Sequence, residues 1–170
     1  RLAAHPRGLI VAGPDDDPAI PAALAALARA SGYPVLADPL SGLRTGRHDR
    51  SSVVARGDLL VRPSRWIDGH RPTLVLRTGA MPTSRPMLEL LRALEPELIV
   101  VDGAAGWRES AIVPTTFVHA DAATTAADIA AVLADRAAGR DDAWLRSWQA
   151  ADRTASAAMD DWLAALDEPF

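Results

Sequence analysis

The sequence contains no cysteine and no lysine. The first absence removes disulfides, thiolate nucleophiles and zinc–thiolate sites, and it fits a cytoplasmic protein, the compartment expected here. The second leaves all 18 basic residues as arginine beside abundant alanine, a bias of genome composition that says little about mechanism. No apolar run approaches the roughly 20 residues that cross a bilayer, so no membrane span is expected. The start of the chain lacks the basic-then-apolar pattern of a signal peptide. Positive charge is not in excess either. A formal charge of −4 and a pI of about 5.5 give no counterion release on a polyanion, which argues against nucleic acid or an anionic membrane as partner.

Local signatures of common chemistries are missing as well. The first strand-to-helix turn reads Gly13-Pro14-Asp15-Asp16-Asp17, where a pyrophosphate site needs Gly-x-Gly-x-x-Gly. Two glycines are absent, Pro14 has no N–H, and three carboxylates repel a phosphate. Acidic capping of a helix N-terminus accounts for the aspartates instead. His5, His48, His70 and His119 are scattered without metal-ligand spacing. No Gly-x-Ser-x-Gly elbow supports a hydrolase triad. No catalytic, cofactor-binding or metal-ligating residue is therefore assigned.

What remains is a chain of 170 residues, enough for one domain with a proper core. "GLIVAG" from Gly8 to Gly13 is an apolar run ending in glycine, as in a strand buried on both faces. Asp17-Pro18 then opens a helix carrying Leu24, Leu27 and Ala28 up to Ser31-Gly32. Tyr33 to Ala37 resumes the apolar run. Ser51 or Ser52 is expected to cap a helix through Leu60, and Thr73 to Leu76 to form a third strand. Thr83 or Ser84 caps a helix with Met87, Leu90, Leu91 and Leu94, followed by a strand at Leu98 to Val101. A short strand at Phe117 to His119 and a helix from about Thr124 to Ala137 complete the alternation. Strands alternating with helices predict an α/β fold, doubly wound, with a mostly parallel sheet covered on both faces.

Gly139-Arg140-Asp141-Asp142 marks a boundary, giving an α/β domain over 1–138 and a linker and helix over 139–170. Trp144, Trp148, Ala151, Ala155, Met159, Trp162 and Leu166 keep helical spacing and put one apolar stripe on a long C-terminal amphipathic helix. That stripe either packs back on its own domain or belongs to the next domain of a longer chain. A start at Arg1 without methionine, and a stop at "LDEPF" straight after a helical pattern, lead to the expectation of a fragment.

Ligands of open parallel sheets gather beyond the carboxyl ends of the strands. Three loops there carry an arginine each: Arg44 in "DPLSGLRTGRHDR", Arg85 in "RTGAMPTSRP" and Arg108 in "DGAAGWRES". Guanidinium groups suit carboxylates because they offer planar paired donors. Arg85 has the best local case, since it falls in the first turn of a helix, where free amides and the dipole favour an anion at the same spot. A surface ion pair with a nearby aspartate is the plainer reading for each of them.

"VLADPLSGLRTGRHD", "VLRTGAMPTSRPMLELL" and "LIVVDGAAGWRES" occur in order and on expected strand ends. Over about residues 7 to 125 the sequence resembles the middle domain of the 2-succinyl-5-enolpyruvyl-6-hydroxy-3-cyclohexene-1-carboxylate synthase family, thiamine-diphosphate enzymes of menaquinone biosynthesis. The resemblance implies a Rossmann-like middle domain of a three-domain transferase whose first and third domains, its partners in the chain, bind thiamine diphosphate with Mg2+ or Mn2+. It implies decarboxylation of 2-oxoglutarate and addition of the resulting carbanion to isochorismate. It also implies a cytoplasmic homo-oligomer, dimer or tetramer, when full length. The fragment alone is expected to bind no cofactor and to be inactive. The metal–diphosphate signature Gly-Asp-Gly followed by Asn is absent, Val101-Asp102-Gly103 being only an echo of it. The family's "Ser-Lys-Pro" segment, which reaches a substrate carboxylate, corresponds to Ser84-Arg85-Pro86. Arg85 is thus the expected substrate-binding residue, with Ser84 beside it and Arg44 as a weaker companion in the "Ser-x-x-Arg" loop with Ser41. Two alternatives stand beside it: a stand-alone module binding a small anion or regulator, and the middle domain of another thiamine-diphosphate enzyme that binds an adenine nucleotide, against which the Gly13-Pro14 turn already speaks.

Overall fold

Every residue from Gly8 to Ala12 is buried, and this strand, β1, is the axis of the molecule. The computed structural model describes residues 1–62, 64–103, 109–134 and 141–167. Strands β2 (Val35–Ala37) and β3 (Val53–Val54) lie to one side of β1, and β4 (Leu74–Thr78), β5 (Glu97–Val101) and β6 (Thr115–Val118) lie to the other. All neighbours are parallel, in the order β3-β2-β1-β4-β5-β6. The chain winds outward in one direction, returns to the centre and winds outward in the other, which is the doubly wound α/β fold that alternating elements predict.

Alternation along each strand divides the core into two layers. Ile10, Ala12, Leu76, Ile99 and Val101 face helices α1 (Ile20–Ser31) and α5 (Ala122–Ala134), through Leu24, Leu27, Ala28, Ala126 and Ala130. Leu9, Val11, Val75, Leu98 and Val100 face the opposite way. There they meet Ile67 of α3 (Arg65–Gly69), Met87, Leu90 and Leu91 of α4 (Arg85–Leu94), and Trp144 and Trp148 of the last helix, α6 (Asp142–Ala164). Each fully buried leucine or isoleucine contributes about 1.5–3 kcal/mol of transfer free energy. Among the described residues no helix is long and apolar enough to cross a membrane.

Helix α1 starts three residues after Asp17, whose Oδ1 accepts from the Ala19 amide at 2.8 Å, and it ends on Gly32 at φ 75°, a left-handed cap that favours glycine. One expected element is replaced. The helix placed between Ser51 or Ser52 and Leu60 is instead a two-residue edge strand and the single turn α2 (Gly57–Leu60). Val53 and Val54 pair with Val35 and Leu36, and β-branched side chains gain more from that pleated edge than from a helix. The last strand starts two residues earlier than expected and ends one earlier. Residues 135–137 of the expected fifth-helix span and the boundary residues Gly139 and Arg140 lie outside the described residues.

Asp141 caps α6, its Oδ1 accepting from the amides of Ala143 (3.0 Å) and Trp144 (3.1 Å). The apolar stripe of α6 then has two different environments. Trp148 is fully buried, whereas Trp162 is 63% exposed, with Met159 and Leu163 each 43% exposed. Between them Arg56 ties the helix to the α2 turn: Asp152 accepts from the Arg56 amide at 2.8 Å, and Arg56 Nη2 donates to Ser156 Oγ at 2.6 Å.

Candidate functional site at the carboxyl edge of the sheet

β1 and β4 are adjacent strands whose following connections leave in opposite directions, so a crevice is expected where they end. Backbone closes it. The Gly13 amide donates to Thr78 O at 3.0 Å and the Ala80 amide to Pro14 O at 3.0 Å. A Cβ on Gly13 would stand 1.7 Å from Ala80 O, and Gly79 adopts φ +69° against Pro14 O. Only glycine permits this approach. The amide a phosphate would need is already used, and Pro14 supplies none.

The open space lies one loop further out. A cavity of about 260 Å³ is walled by the β2–β3 loop, the α2 turn and the start of α4, with Asp38, Arg44, Gly57, Asp58, Ser84 and Met87 among its lining. Asp38, at the end of β2, is 5% exposed. Its Oδ1 accepts from the Leu40 amide at 2.9 Å. Its Oδ2 accepts from both the amide (2.9 Å) and the hydroxyl (3.0 Å) of Thr83. One carboxylate therefore joins the loops after β2 and β4 across the end of β1.

The β2–β3 loop is held from within. Ser41 Oγ donates to Asp38 O at 2.7 Å and accepts from the Leu43 amide at 3.3 Å, burying Leu43 completely. Gly42 (φ +71°) and Gly46 (φ +119°) supply the left-handed turns. His48 Nε2 lies 3.0 Å from Leu43 O. Asp49, further along, has its carboxyl held below the usual range by hydrogen bonds from the Ser51 backbone and side chain. Arg44 turns back along the cavity wall and donates from Nε to Ala37 O at 2.9 Å.

Of the three arginines singled out by sequence, Arg108 lies outside the described residues. Arg44 and Ser84 share the cavity, and the Ser84 hydroxyl oxygen is buried with no hydrogen-bond partner. Arg85 is not in that lining: its side chain is 86% exposed and its Nε donates to Glu89 Oε1 at 2.7 Å, one turn along α4. The sequence offers Thr83 only as a possible helix cap and Asp38 only as the end of a strand, and neither as part of a site. An aspartate ending a strand before a proline is a turn signal, but its partner 45 residues away leaves no local trace. Among the described residues no group of three or more His, Cys, Asp or Glu side chains is placed to hold a metal ion.

The cavity thus brings together the Arg44 guanidinium, the uncommitted hydroxyl of Ser84 and the carboxylates of Asp38 and Asp58, with Arg85 outside it.

No protein-family model matches the chain. Curated relatives do. A 2-succinyl-5-enolpyruvyl-6-hydroxy-3-cyclohexene-1-carboxylate synthase of Chloroflexus aurantiacus is 40% identical over 155 residues, covering 91% of this chain and 26% of the relative. The synthase of Halobacterium salinarum is 45% identical over 157 residues, covering 86% and 26%. That of Geobacillus kaustophilus is 43% identical over 124 residues, covering 71% and 21%. The resemblance carried by the three loops thus extends over most of the chain, and the chain spans about a quarter of the length of the first two relatives.

Proposed function

We propose that this chain is the middle domain of a 2-succinyl-5-enolpyruvyl-6-hydroxy-3-cyclohexene-1-carboxylate synthase, a cytoplasmic, thiamine-diphosphate-dependent transferase of menaquinone biosynthesis. The observation that carries this reading is the similarity to one segment of such synthases along most of the chain. The intact enzyme, a homo-oligomer, decarboxylates 2-oxoglutarate and joins the remaining four-carbon unit to isochorismate. Residues 1–138 form the middle domain and 139–170 lead toward a third domain, with the first half of α6 serving as the buried root of that connection.

The carboxyl edge does not fit thiamine diphosphate. The Gly13 amide is engaged by Thr78, Pro14 has no N–H, and Asp15, Asp16 and Asp17 oppose a diphosphate's charge. No step of the chemistry is assigned to this edge, and thiamine diphosphate with Mg2+ or Mn2+ belongs to the first and third domains. The isolated domain is inactive.

Its contribution is to hold the flanking domains in register and to bind substrate carboxylate. Arg85 is the carboxylate contact. Its bond to Glu89 is an exposed pair on one helix face, of a kind worth only about 0.3–0.5 kcal/mol, so exchanging Glu89 for a substrate carboxylate costs little. Because Arg85 points outward, the acid it meets is bound between this edge and a neighbouring domain. Ser84 and Arg44 face the cavity instead, as separate donors to an anion bound there. Assay of the full-length protein for isochorismate-dependent carbon dioxide release from 2-oxoglutarate tests the reading. Release that requires thiamine diphosphate and a divalent metal is expected, and none from the full-length protein would refute it.

A further inference from the structure

Helix α4 begins without any cap of its own. Ser84 occupies the N-cap position with extended backbone, yet its side chain makes no capping bond and its hydroxyl oxygen is buried without a partner. Pro86, at the second helical position, fixes its own φ but offers no N–H. Locally the first turn is held by the Leu88 amide, which donates to Ser84 O at 3.4 Å, and the Ser84 side chain adds no cap to it.

The missing restraint comes from another strand. Asp38 is anchored on β2 by the Leu40 amide, and its other oxygen accepts from the amide and hydroxyl of Thr83, the residue just before Ser84. Its negative charge also sits at the N-terminal end of α4, where the helix dipole favours an anion. We propose that Asp38 is a positioning residue: it pins Thr83, the residue before the N-cap of α4, across the end of β1, and thereby fixes Ser84 and Arg85 for carboxylate binding. The proposal rests on the reading of Arg85 as a carboxylate contact. Asparagine is a sensitive replacement, because two oxygens are required here and its amide has one acceptor.

Two measurements separate the clamp from its purpose. In this chain, hydrogen exchange of the Thr83 amide, the donor to Asp38, is compared between wild type and Asp38→Asn. Exchange faster by roughly tenfold or more, the loss of one charge-assisted bond, is expected, and unchanged exchange overturns the clamp. Thr83→Ser, which keeps amide and hydroxyl, retains wild-type exchange, whereas loss of protection in that variant also counts against it. In the full-length synthase, Asp38→Asn raises KM for an acidic substrate by roughly fivefold or more, and Asp38→Asn with Arg85→Ala is no worse than Arg85→Ala alone. Full additivity of the two substitutions overturns action through Arg85. An unchanged KM in Arg85→Ala defeats the carboxylate reading, and with it the purpose of the clamp, while the exchange result still decides whether the clamp exists.

Discussion

The indole Nε1 of Trp144 donates to Gly8 O at 2.8 Å, tying the first turn of the last helix to the first residue of the central strand. Around that bond Trp66 stands edge-on to Trp148 at 4.8 Å and stacks on His70 at 4.1 Å. The root of α6 is thereby part of the sheet's hydrophobic layer, whatever its far end meets.

Trp148→Ala empties a fully buried site and costs about 3–5 kcal/mol of stability. Trp144→Phe leaves the Gly8 carbonyl without its indole donor, for about 1–3 kcal/mol. Trp162→Ala, on the exposed half of the same stripe, stays within about 0.5 kcal/mol. Chemical denaturation of the chain checks all three, and equal costs at 148 and 162 would contradict the divided stripe.

Tyr33, the sole tyrosine, directs its hydroxyl toward the carbonyls of Leu2 (2.9 Å) and His5 (2.5 Å). Burial, and secondarily the negative charge of Glu97, push its pKa up. The unfolded chain releases this proton near pH 10, about the ordinary value, and the folded chain only above it. Stability from Tyr33 is therefore complete below about pH 10 and lost as pH rises through the folded value. Alkaline denaturation followed by tyrosinate absorbance should show the phenol ionising only as the fold opens, and Tyr33→Phe should flatten the alkaline loss of stability. Ionisation of the intact fold at the ordinary value would contradict the burial argument.

Gly13→Ala forces a methyl group into Ala80 O and separates the loops that close the β1/β4 crevice. A loss of more than about 2 kcal/mol is expected, and a melting curve matching wild type would show that the loops do not interlock this way.

Arg77 is completely buried on β4, donating from Nη1 to Gly79 O at 2.8 Å and lying 3.3 Å from Glu109 Oε2. Glu109→Ala removes the carboxylate that faces a buried charge, at a cost of about 3–5 kcal/mol. Glu109→Gln, which keeps an acceptor, costs less. The same denaturation series distinguishes them.

The fold was legible because parallel strands buried on both faces leave continuous apolar runs, and those between Gly8 and Val101 stand out between helical patterns. Val53-Val54 was not, since a two-residue strand is too short for periodicity and Ser51-Ser52 imitate a helix cap. The stripe on α6 announced one apolar side but not what covers it, and the covering changes between Trp148 and Trp162. Arg85's outward direction was written in the sequence: Met87, Leu90 and Leu91 fix the inward phase of α4, and positions 85 and 89 then share the opposite face. The bond from Asp38 to Thr83 was not, because it depends on which strands flank β1.

The most direct test is the KM of the full-length protein for isochorismate and for 2-oxoglutarate, wild type against Arg85→Ala, with thiamine diphosphate and Mg2+ present. Loss of one charge-assisted contact predicts a KM for one of the two acids raised roughly tenfold or more. Identical constants in the two proteins, or no turnover of this substrate pair by the wild type, would contradict the account.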